Sequence, residues 1–324
     1  MNKPEPVLKP YRAMRNVIVF AGLALLSSCS WSQKVPSVET FEDIPYPFPT
    51  QQVKLESGET IAYFDEGEGA PLLFIHGLGS YAPAWKKNIE ALRGHYRCIA
   101  LDLPGYGKSS KGKYEASMTY YASVLHAFMS EIGLSKANLA GHSMGGQIAM
   151  TTALAYPESI EKLVLVAPAG FETFHKGERE WFREVLTPTA VKLTTVDQIK
   201  ANIAWNFYDM PEDAEFMITD RIAMRKAEGF DAYCYIVPEC VKGMVNEPVF
   251  DYLPQIEQPV LAIFGHQDNL IPNRFLNGGT TEAIGRKGVA QLPDATLQMI
   301  DKAGHFVHYE QAERVNELIK AFLD

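Results

Sequence analysis

Short apolar runs recur along the chain from about residue 60, each bounded by glycine or proline and separated from the next by a helix-like stretch. Continuous apolar runs of this length are typical of strands that are buried on both faces of a parallel sheet. Their alternation with helices predicts a doubly wound α/β domain with a mostly parallel sheet. The predicted strands lie near Ile61–Asp65, Leu72–His76, Cys98–Leu101, Ala137–Ala140, Leu163–Val166, Val260–Phe264 and Thr296–Ile300.

The alternation of strands and helices stops between about Gly170 and Pro254. This stretch is rich in aromatic side chains and helix-like patterns, and it has no apolar run of the kind that forms the core strands. We therefore expect a mainly helical cap that is inserted into the sheet domain. The expected boundaries are 51–170 and 255–324 for the sheet domain and 171–254 for the cap.

The first 28 residues differ in composition from the rest of the chain. Lys and Arg outnumber acidic residues there by four to one, and an uncharged run of 11 residues from Asn16 to Leu26 follows them. A helix of that length covers about 16 Å, roughly half the thickness of the hydrocarbon core of a bilayer. We therefore interpret residues 1–28 as a signal peptide for export rather than as a transmembrane helix.

The apolar run ends in Leu26-Ser27-Ser28-Cys29, which resembles the lipobox of bacterial lipoproteins. The resemblance implies that Cys29 is lipidated, becomes the new N-terminus and anchors the exported protein to a bacterial membrane of the cell envelope. Because Ser30 is not Asp, the resemblance to Gram-negative lipoproteins points to the outer membrane. An ordinary signal peptide with an incidental cysteine is the alternative.

Residues 29–50 follow the predicted lipidation site and contain four prolines. Proline fixes φ and blocks helix formation, so this stretch predicts an extended tether of up to roughly 60 Å between a membrane and the folded domain. The alternative is that the end carrying Tyr46 and Phe48 packs on the domain.

Charge and motif content exclude several kinds of partner. Removal of the signal peptide would change the formal net charge from −9 to −12, so we expect no binding to nucleic acid. No zinc-type His/Cys spacing occurs, and the turn at Asp102–Ser109 fits neither of two common nucleotide-binding motifs. We therefore expect no metal and no cofactor, and we interpret Asp102 as an acceptor for local backbone N–H groups. Whether Cys234 and Cys240 pair stays open.

The segment Gly141-His142-Ser143-Met144-Gly145 fits the pattern G-x-S-x-G. Such a pattern also arises by chance, but here it follows a predicted strand and precedes a helix-like stretch. At a sharp strand-to-helix turn the flanking glycines avoid Cβ clashes, and the helix N-terminus favours developing negative charge. We predict that Ser143 is a catalytic nucleophile. A plain turn with an N-capping serine is the alternative.

A serine nucleophile needs a base and a carboxylate that orients this base. Asp268 and His305 each follow the carboxyl end of a predicted strand, on the edge of the sheet where Ser143 is expected. We therefore predict a triad of Ser143, Asp268 and His305. The weaker candidates are His308, which we place at the start of the last helix, and Asp301, which lies on the strand before His305.

The tetrahedral intermediate of acyl transfer also needs N–H donors for its oxyanion. The turn His76-Gly77-Leu78-Gly79 follows a predicted strand, and the N–H of Leu78 can point into the site. The N–H of Met144, directly after the nucleophile, is the second donor that we predict. We expect His142 to pack or to form a hydrogen bond inside the turn.

These motifs together resemble the α/β-hydrolase superfamily, in particular its cap-bearing esterases, monoacylglycerol lipases, carbon–carbon bond hydrolases and cofactor-free perhydrolases. The resemblance covers about residues 58–324 and rests on HGLG, DLPGYGKS, GHSMGG, GHQDNLIP and GHF in that order. It implies the α/β-hydrolase fold with an inserted cap, the same triad, and Leu78 with Met144 as oxyanion donors. Haloalkane dehalogenases and epoxide hydrolases are disfavoured, because they carry Asp where this chain has Ser143.

The function that the resemblance implies is hydrolysis of a carboxylic ester through an acyl-enzyme, with a small-molecule ester or an acylglycerol as substrate. The first alternative is a carbon–carbon bond hydrolase of the meta-cleavage type, although such enzymes often have Asn where this chain has His142. The second alternative is a non-catalytic binding protein that keeps the fold and the pocket. The complete set of motifs favours an enzyme.

Overall fold

The computed structural model describes residues 36–324. The predicted signal peptide, the predicted lipidation site Cys29 and the first part of the predicted tether lie outside the described residues, so these interpretations stay predictions. Within the described part of the chain, no helix is long and apolar enough to cross a membrane.

One sheet of eight strands forms the centre of the domain. The strands are β1 (Gln51–Lys54), β2 (Thr60–Glu66), β3 (Ala70–Ile75), β4 (Tyr96–Leu101), β5 (Ala137–His142), β6 (Ile160–Val166), β7 (Val260–Gly265) and β8 (Ala295–Ile300). Their order in the sheet is β1-β2-β4-β3-β5-β6-β7-β8. The pairings of β1 with β2 and of β2 with β4 are antiparallel, and the other pairings are parallel. The predicted fold class, a mostly parallel doubly wound α/β sheet, is confirmed.

The described residues form eleven α-helices around this sheet. They are α1 (Lys86–Leu92), α2 (Met118–Glu131), α3 (Met144–Ala155), α4 (Lys176–Val185), α5 (Pro188–Leu193), α6 (Val196–Ala204), α7 (Glu215–Ala223), α8 (Phe230–Asn246), α9 (Thr281–Val289), α10 (Val307–Glu310) and α11 (Ala312–Leu323).

Helices cover both faces of the sheet. Alternate residues of the central strands point to opposite sides, so each strand contributes side chains to both layers. In β3, Leu73 and Ile75 pack in the same cluster as side chains of α2 and α3. Leu72 and Phe74 pack on the other side with side chains of α1 and α11. Burial on both faces explains why these strands are continuous apolar runs in the sequence.

Helices α4 to α8 lie between β6 and β7, in the stretch where the sequence predicts a cap, and we call these helices the cap. Helices α4 and α5 pack against α8, and α6 packs against α7. The hydroxyls of Thr187 and Thr195 accept hydrogen bonds from backbone N–H groups at the starts of α5 and α6, so local capping fixes where these helices begin. Residues 167–259 contain no strand.

Residues 38–50, which we call the N-terminal segment, pack on the folded domain. Phe41 is buried, and the hydroxyl of Tyr46 donates a hydrogen bond of 2.6 Å to the carboxylate of Asp102. The predicted extended tether over 29–50 is therefore wrong for this part of the chain, and the packed alternative is correct. The physical reason is that the free energy falls when aromatic rings leave water and pack against the domain.

Cys234 and Cys240 do not pair. Both thiols are free and buried, and both residues lie in α8. Six residues of α-helix rise about 9 Å, which exceeds the Cα separation that a disulfide can span. The sulfur of Cys240 instead lies 3.1 Å from the hydroxyl of Tyr106.

Candidate active site

Ser143 lies at the turn between β5 and α3 in a backbone conformation that few non-glycine residues adopt. Its φ is 53° and its ψ is −117°. The flanking glycines permit this turn. A Cβ on Gly141 would lie 2.3 Å from the carbonyl oxygen of Gly145, and a Cβ on Gly145 would lie 2.3 Å from that of Ile75. The turn therefore places Ser143 at the N-terminus of α3.

Asp268 and His305 are joined by a hydrogen bond. Nδ1 of His305 donates to Oδ2 of Asp268 at 2.7 Å, and both side chains are almost fully buried. The other carboxylate oxygen, Oδ1, accepts hydrogen bonds from the N–H groups of Leu270 and Ile271 at 2.7 and 3.1 Å. Such donors stabilise an ionised carboxylate. A carboxylate at Nδ1 keeps the proton on that nitrogen, so Nε2 of His305 is left as an acceptor.

Ser143 and His305 line one cavity of about 430 Å³, which we call the Ser143 cavity. Within the described residues, neither the Ser143 hydroxyl nor Nε2 of His305 forms a hydrogen bond. Both atoms are therefore available to a ligand. Most of the wall comes from the cap and from the loop after Asp268, including Phe174, Phe182, Val241, Met244 and Ile271.

His76 shapes the turn that carries Leu78. Nδ1 of His76 donates to the carbonyl oxygen of Gly77 at 2.8 Å, and Nε2 accepts from the N–H of Leu103 at 3.0 Å. Burial lowers the pKa of His76, which agrees with the neutral ring that these two bonds require. In the described part of the chain, the N–H groups of Leu78 and Met144 donate no backbone hydrogen bond. Both stay available where the sequence predicts oxyanion donors.

His142 forms a hydrogen bond to the backbone of His305. Its Nε2 donates to the backbone carbonyl oxygen of His305 at 3.0 Å, and its ring centre lies 4.5 Å from that of His308. Burial lowers the pKa of His142 well below its usual range, and the neighbouring His308 and His305 rings add to this effect. Burial also lowers the pKa of His308 to about 3. Both rings are therefore neutral, and His142 is the one that forms a hydrogen bond to His305.

The weaker candidates lie away from the Ser143 cavity. His308 is in α10, before the last helix, where its ring packs on that of Trp85 at 4.2 Å. Neither ring nitrogen of His308 has a hydrogen-bond partner among the described residues. Asp301 is exposed and faces His266. Residues 36–324 also contain no group of three His, Cys, Asp or Glu side chains that is arranged to hold a metal ion.

A second cavity, of about 280 Å³, adjoins the first and shares the lining residues Leu78, Leu186, Asn206 and Phe306 with it. We call it the Arg221 cavity. Nη1 of Arg221 is buried and has no hydrogen-bond partner among residues 36–324. The adjacent Asp220 accepts a hydrogen bond of 2.6 Å from the Tyr81 hydroxyl, and burial raises the pKa of Asp220. The guanidinium of Arg221 lies over the rings of Phe230 and Tyr233, at 5.4 and 4.8 Å from their centres.

Glu310 ties the cap to the loop that carries His305. Its carboxylate accepts hydrogen bonds from the N–H of Gly304 at 2.7 Å and from the N–H of Asp209, in the cap, at 2.6 Å. The sequence alone marks neither Glu310 nor Arg221 as a candidate site residue. Glu310 contacts a segment about 100 residues away, and the cavity of Arg221 is lined by residues as far apart as Phe41 and Phe306, so no local motif marks either residue.

Comparisons with known proteins agree with this fold. A family model described as alpha/beta hydrolase fold matches residues 70–217. An (E)-2-((N-methylformamido)methylene)succinate hydrolase from Acinetobacter baylyi is 33% identical, over 85% of this chain and 98% of that protein. A 2-hydroxy-6-oxononadienedioate/2-hydroxy-6-oxononatrienedioate hydrolase from Burkholderia vietnamiensis is 29% identical, over 81% of this chain and 90% of its own. The structure of a bacterial membrane phospholipase A matches with a TM-score of 0.69 and 27% identity, over 85% of this chain and 86% of that one.

Proposed function

Because this chain belongs to the alpha/beta hydrolase fold family, we propose that it is a serine hydrolase that cleaves carboxylic esters through an acyl-enzyme intermediate. One observation carries the proposal. Ser143, on its strained turn, and the hydrogen-bonded pair of Asp268 and His305 meet at a single cavity. This geometry supports the proposed roles of nucleophile, base and orienting carboxylate.

In the proposed acylation step, Nε2 of His305 takes the proton of the Ser143 hydroxyl as its oxygen attacks the ester carbonyl carbon. Asp268 stabilises the imidazolium that forms. The N–H groups of Leu78 and Met144 hold the oxyanion of the tetrahedral intermediate. His305 then gives its proton to the alcohol oxygen as the carbon–oxygen bond breaks, and the acyl group stays on Ser143.

Deacylation repeats these roles with water as the nucleophile. His305 takes a proton from water while the water oxygen attacks the acyl carbonyl carbon. The same two N–H groups hold the second oxyanion. The bond to Ser143 then breaks, its oxygen recovers the proton from His305, and the carboxylic acid leaves.

The wall of the Ser143 cavity supports an acyl chain as the ligand. Phe174, Phe182, Val241 and Met244 present apolar surface around a space of about 430 Å³. The similarity to a membrane phospholipase A agrees with a lipid ester. We therefore propose an acylglycerol or another ester with an apolar acyl chain as the substrate.

Substitution of the three proposed triad residues tests this function. Ser143→Ala should fold normally, lose turnover of p-nitrophenyl esters and monoacylglycerols of graded chain length, and lose labelling by a fluorophosphonate. Asp268→Asn and His305→Ala should each lower kcat by about 10³ or more, and their effects should not add, because the residues act as a unit. Intact fluorophosphonate labelling of Ser143→Ala would contradict the assignment. Ester binding without turnover by the unmodified protein would favour the non-catalytic alternative.

A carbon–carbon bond hydrolase is the second candidate, and the Arg221 cavity favours it. Arg221 lines this cavity, and a substrate carboxylate that binds there would pair with its positive charge. The names of two similar hydrolases denote dicarboxylate substrates, a succinate derivative and a nonadienedioate.

Arg221→Gln distinguishes the two candidates. If a dienoic keto acid is the substrate, the variant should raise the KM for that acid by about tenfold or more, because a charge-assisted bond is lost. The KM for an uncharged ester should change less. The comparison of kcat/KM between the acid and a monoacylglycerol in the unmodified protein then shows which bond the site is built to cleave.

We also propose that the exported protein is lipidated on Cys29 and anchored to a membrane of the cell envelope. The apolar run and the sequence Leu26-Ser27-Ser28-Cys29 support this proposal. A palmitate analogue should label the protein in cells, and Cys29→Ala should abolish the label. Equal labelling of both proteins would leave an ordinary signal peptide as the explanation.

A further inference from the structure

Large apolar side chains are exposed at the opening of the Ser143 cavity. Among the described residues, eight large apolar side chains are exposed, and four of these also line this cavity. A side chain that both lines a cavity and meets solvent lies at its opening. The four, which we call the apolar rim, are Trp181, Val185, Leu270 and Phe275.

Packing inside the protein does not account for the apolar rim. Helix α4, which carries Trp181 and Val185, contains no buried residue. Phe275, on the loop after Asp268, is 88% exposed. Apolar area in water costs about 25 cal/mol per Å², and clusters of such residues at an opening mark surfaces that meet a partner. The rim is therefore a candidate docking surface.

The charges near the rim favour a partner without strong charge. Helix α4 carries three basic and three acidic side chains, which cancel, and the chain as a whole has a formal net charge of −9. Attraction to an anionic surface is therefore weak. The ring of Trp181 is suited to the boundary between water and a lipid layer, where amphipathic aromatic side chains concentrate.

The N-terminal segment joins the chain to the cap. The N–H of Val38 donates to the carbonyl oxygen of Ala223 at 3.3 Å, and the N–H of Glu228 donates to the carbonyl oxygen of Glu39 at 2.8 Å. Cys29, the proposed lipidation site, precedes Val38 by nine residues, which span at most about 30 Å in an extended chain. A lipid on Cys29 would therefore hold the cap close to the membrane.

We propose that the apolar rim docks on a zwitterionic lipid surface and that the ester passes from this surface directly into the Ser143 cavity. This inference rests on the proposed ester hydrolase function and names its substrate class, an acyl ester held in a lipid layer, such as a monoacylglycerol. Trp181 and Phe275 enter the layer at the boundary between headgroups and acyl chains. Apolar area, not charge, provides the binding free energy.

A comparison of two substrates tests the docking in the full chain. One substrate is monooleoylglycerol in phosphatidylcholine vesicles, and the other is dissolved p-nitrophenyl butyrate. In Trp181→Glu/Phe275→Glu, the ratio of the vesicle rate to the dissolved rate should fall by about tenfold or more. The matched control is Tyr252→Glu, because Tyr252 is 54% exposed and lines neither cavity. The control should keep the ratio of the unmodified protein.

A second measurement does not depend on catalysis. Brominated phosphatidylcholine quenches tryptophan rings that enter the acyl region, so Ser143→Ala should lose fluorescence on these vesicles. The loss should be smaller in Ser143→Ala/Trp181→Phe, which replaces one tryptophan with another aromatic ring. Raising the salt concentration should leave the quenching unchanged, because screening weakens only charge interactions.

Specific results would overturn the docking proposal. They are a rate ratio that falls no further in the rim variant than in the control, equal quenching with and without Trp181, or quenching that requires anionic lipid and disappears with salt. Failure of the proposed function has a different signature, which is hydrolysis of both esters by Ser143→Ala. In that case the quenching experiment still decides whether the rim docks.

Discussion

The ring of the buried His142 lies 4.8 Å from that of His305 and 4.5 Å from that of His308, and the surroundings of these three rings give them different chemistry. His142 and His308 are buried and have no carboxylate partner, so burial lowers the pKa of each ring. His305 instead donates to the carboxylate of Asp268 at 2.7 Å. Of these three rings, only that of His305 has a carboxylate partner, which holds the ring in one orientation as a general base in acyl transfer requires.

His308 should make the fold sensitive to acid. Its pKa is about 3 in the folded chain and about 6.5 in the unfolded chain. Between these values the unfolded chain binds a proton that the folded chain does not, so the free energy of unfolding falls as the pH drops below about 6.5. At pH ~5 the loss from His308 is about 2 kcal/mol. We expect His308→Phe to remove about that much of the loss between pH ~7 and ~5, measured by urea unfolding. An unchanged pH dependence would contradict this prediction.

Tyr46 should stabilise the fold through Asp102. The carboxylate also accepts from the N–H groups of Ala82 and Lys108 at 2.7 and 2.8 Å, which agrees with the acceptor role predicted from the sequence. Tyr46→Phe removes one donor from this buried charge and should lower the free energy of unfolding by about 2 kcal/mol. Tyr63→Phe is the control, because the Tyr63 hydroxyl donates to an amide on the edge strand β1, and its cost should stay below about 1 kcal/mol. Equal losses in the two variants would argue against a special role of Tyr46.

At the level of residues, the sequence predicts the site residues that can be recognised from their neighbours along the chain. The glycines around Ser143 and the positions of Asp268 and His305 after strands are visible in it, and the structure brings these residues to one region. The sequence does not decide between two placements of Tyr46, and it does not mark Arg221. Both depend on where distant segments meet, which a single sequence does not record.

The loops after β5, β7 and β8 carry the proposed triad, and Glu310 fixes the last of them against the cap. Glu310→Ala frees the N–H groups of Gly304 and Asp209 and should let the loop of His305 shift, which we expect to lower kcat by about tenfold. Glu310→Gln keeps an acceptor oxygen and should lose less. Glu317→Ala, which removes only an exposed ion pair with Arg314, is the control for charge alone. If it lowers kcat as much as Glu310→Ala, the positioning role is wrong.

At the level of elements, the buried strands could be predicted from the sequence, and the exposed edge strand could not. The seven predicted strands all occur, because strands buried between helices need continuous apolar runs. The sequence does not predict the edge strand β1, because three of its four residues, QQVK, are polar. These side chains are mostly exposed. Helix α9 contains Gly285 and Gly288, which weaken its helical pattern in the sequence. Phe171 packs where a side chain on Gly288 would lie, so tertiary contact explains that glycine.

For the whole molecule, the cap forms much of the wall of the Ser143 cavity and should set the length of the acyl chain. Met244→Trp places a larger side chain on this wall and should lower kcat/KM for the longest accepted chain by about tenfold or more, with a smaller effect on acetyl or butyryl esters. Leu193→Trp is the control, because Leu193 is 69% exposed and lines neither cavity. An equal loss for all chain lengths would assign the effect to folding rather than to the cavity.

The N-terminal segment affects how the cap can move relative to the sheet domain. Val38 pairs with the backbone of the cap at Ala223, while the ring of Phe48 packs edge to face on Phe64 in the sheet domain. If the cap were joined to the sheet domain only by its two chain connections, it could rotate about the line between them. A third attachment opposes this rotation. Rotation of the cap away from the sheet would have to break these contacts. The N-terminal segment should therefore restrain rotation of the cap about its two chain connections.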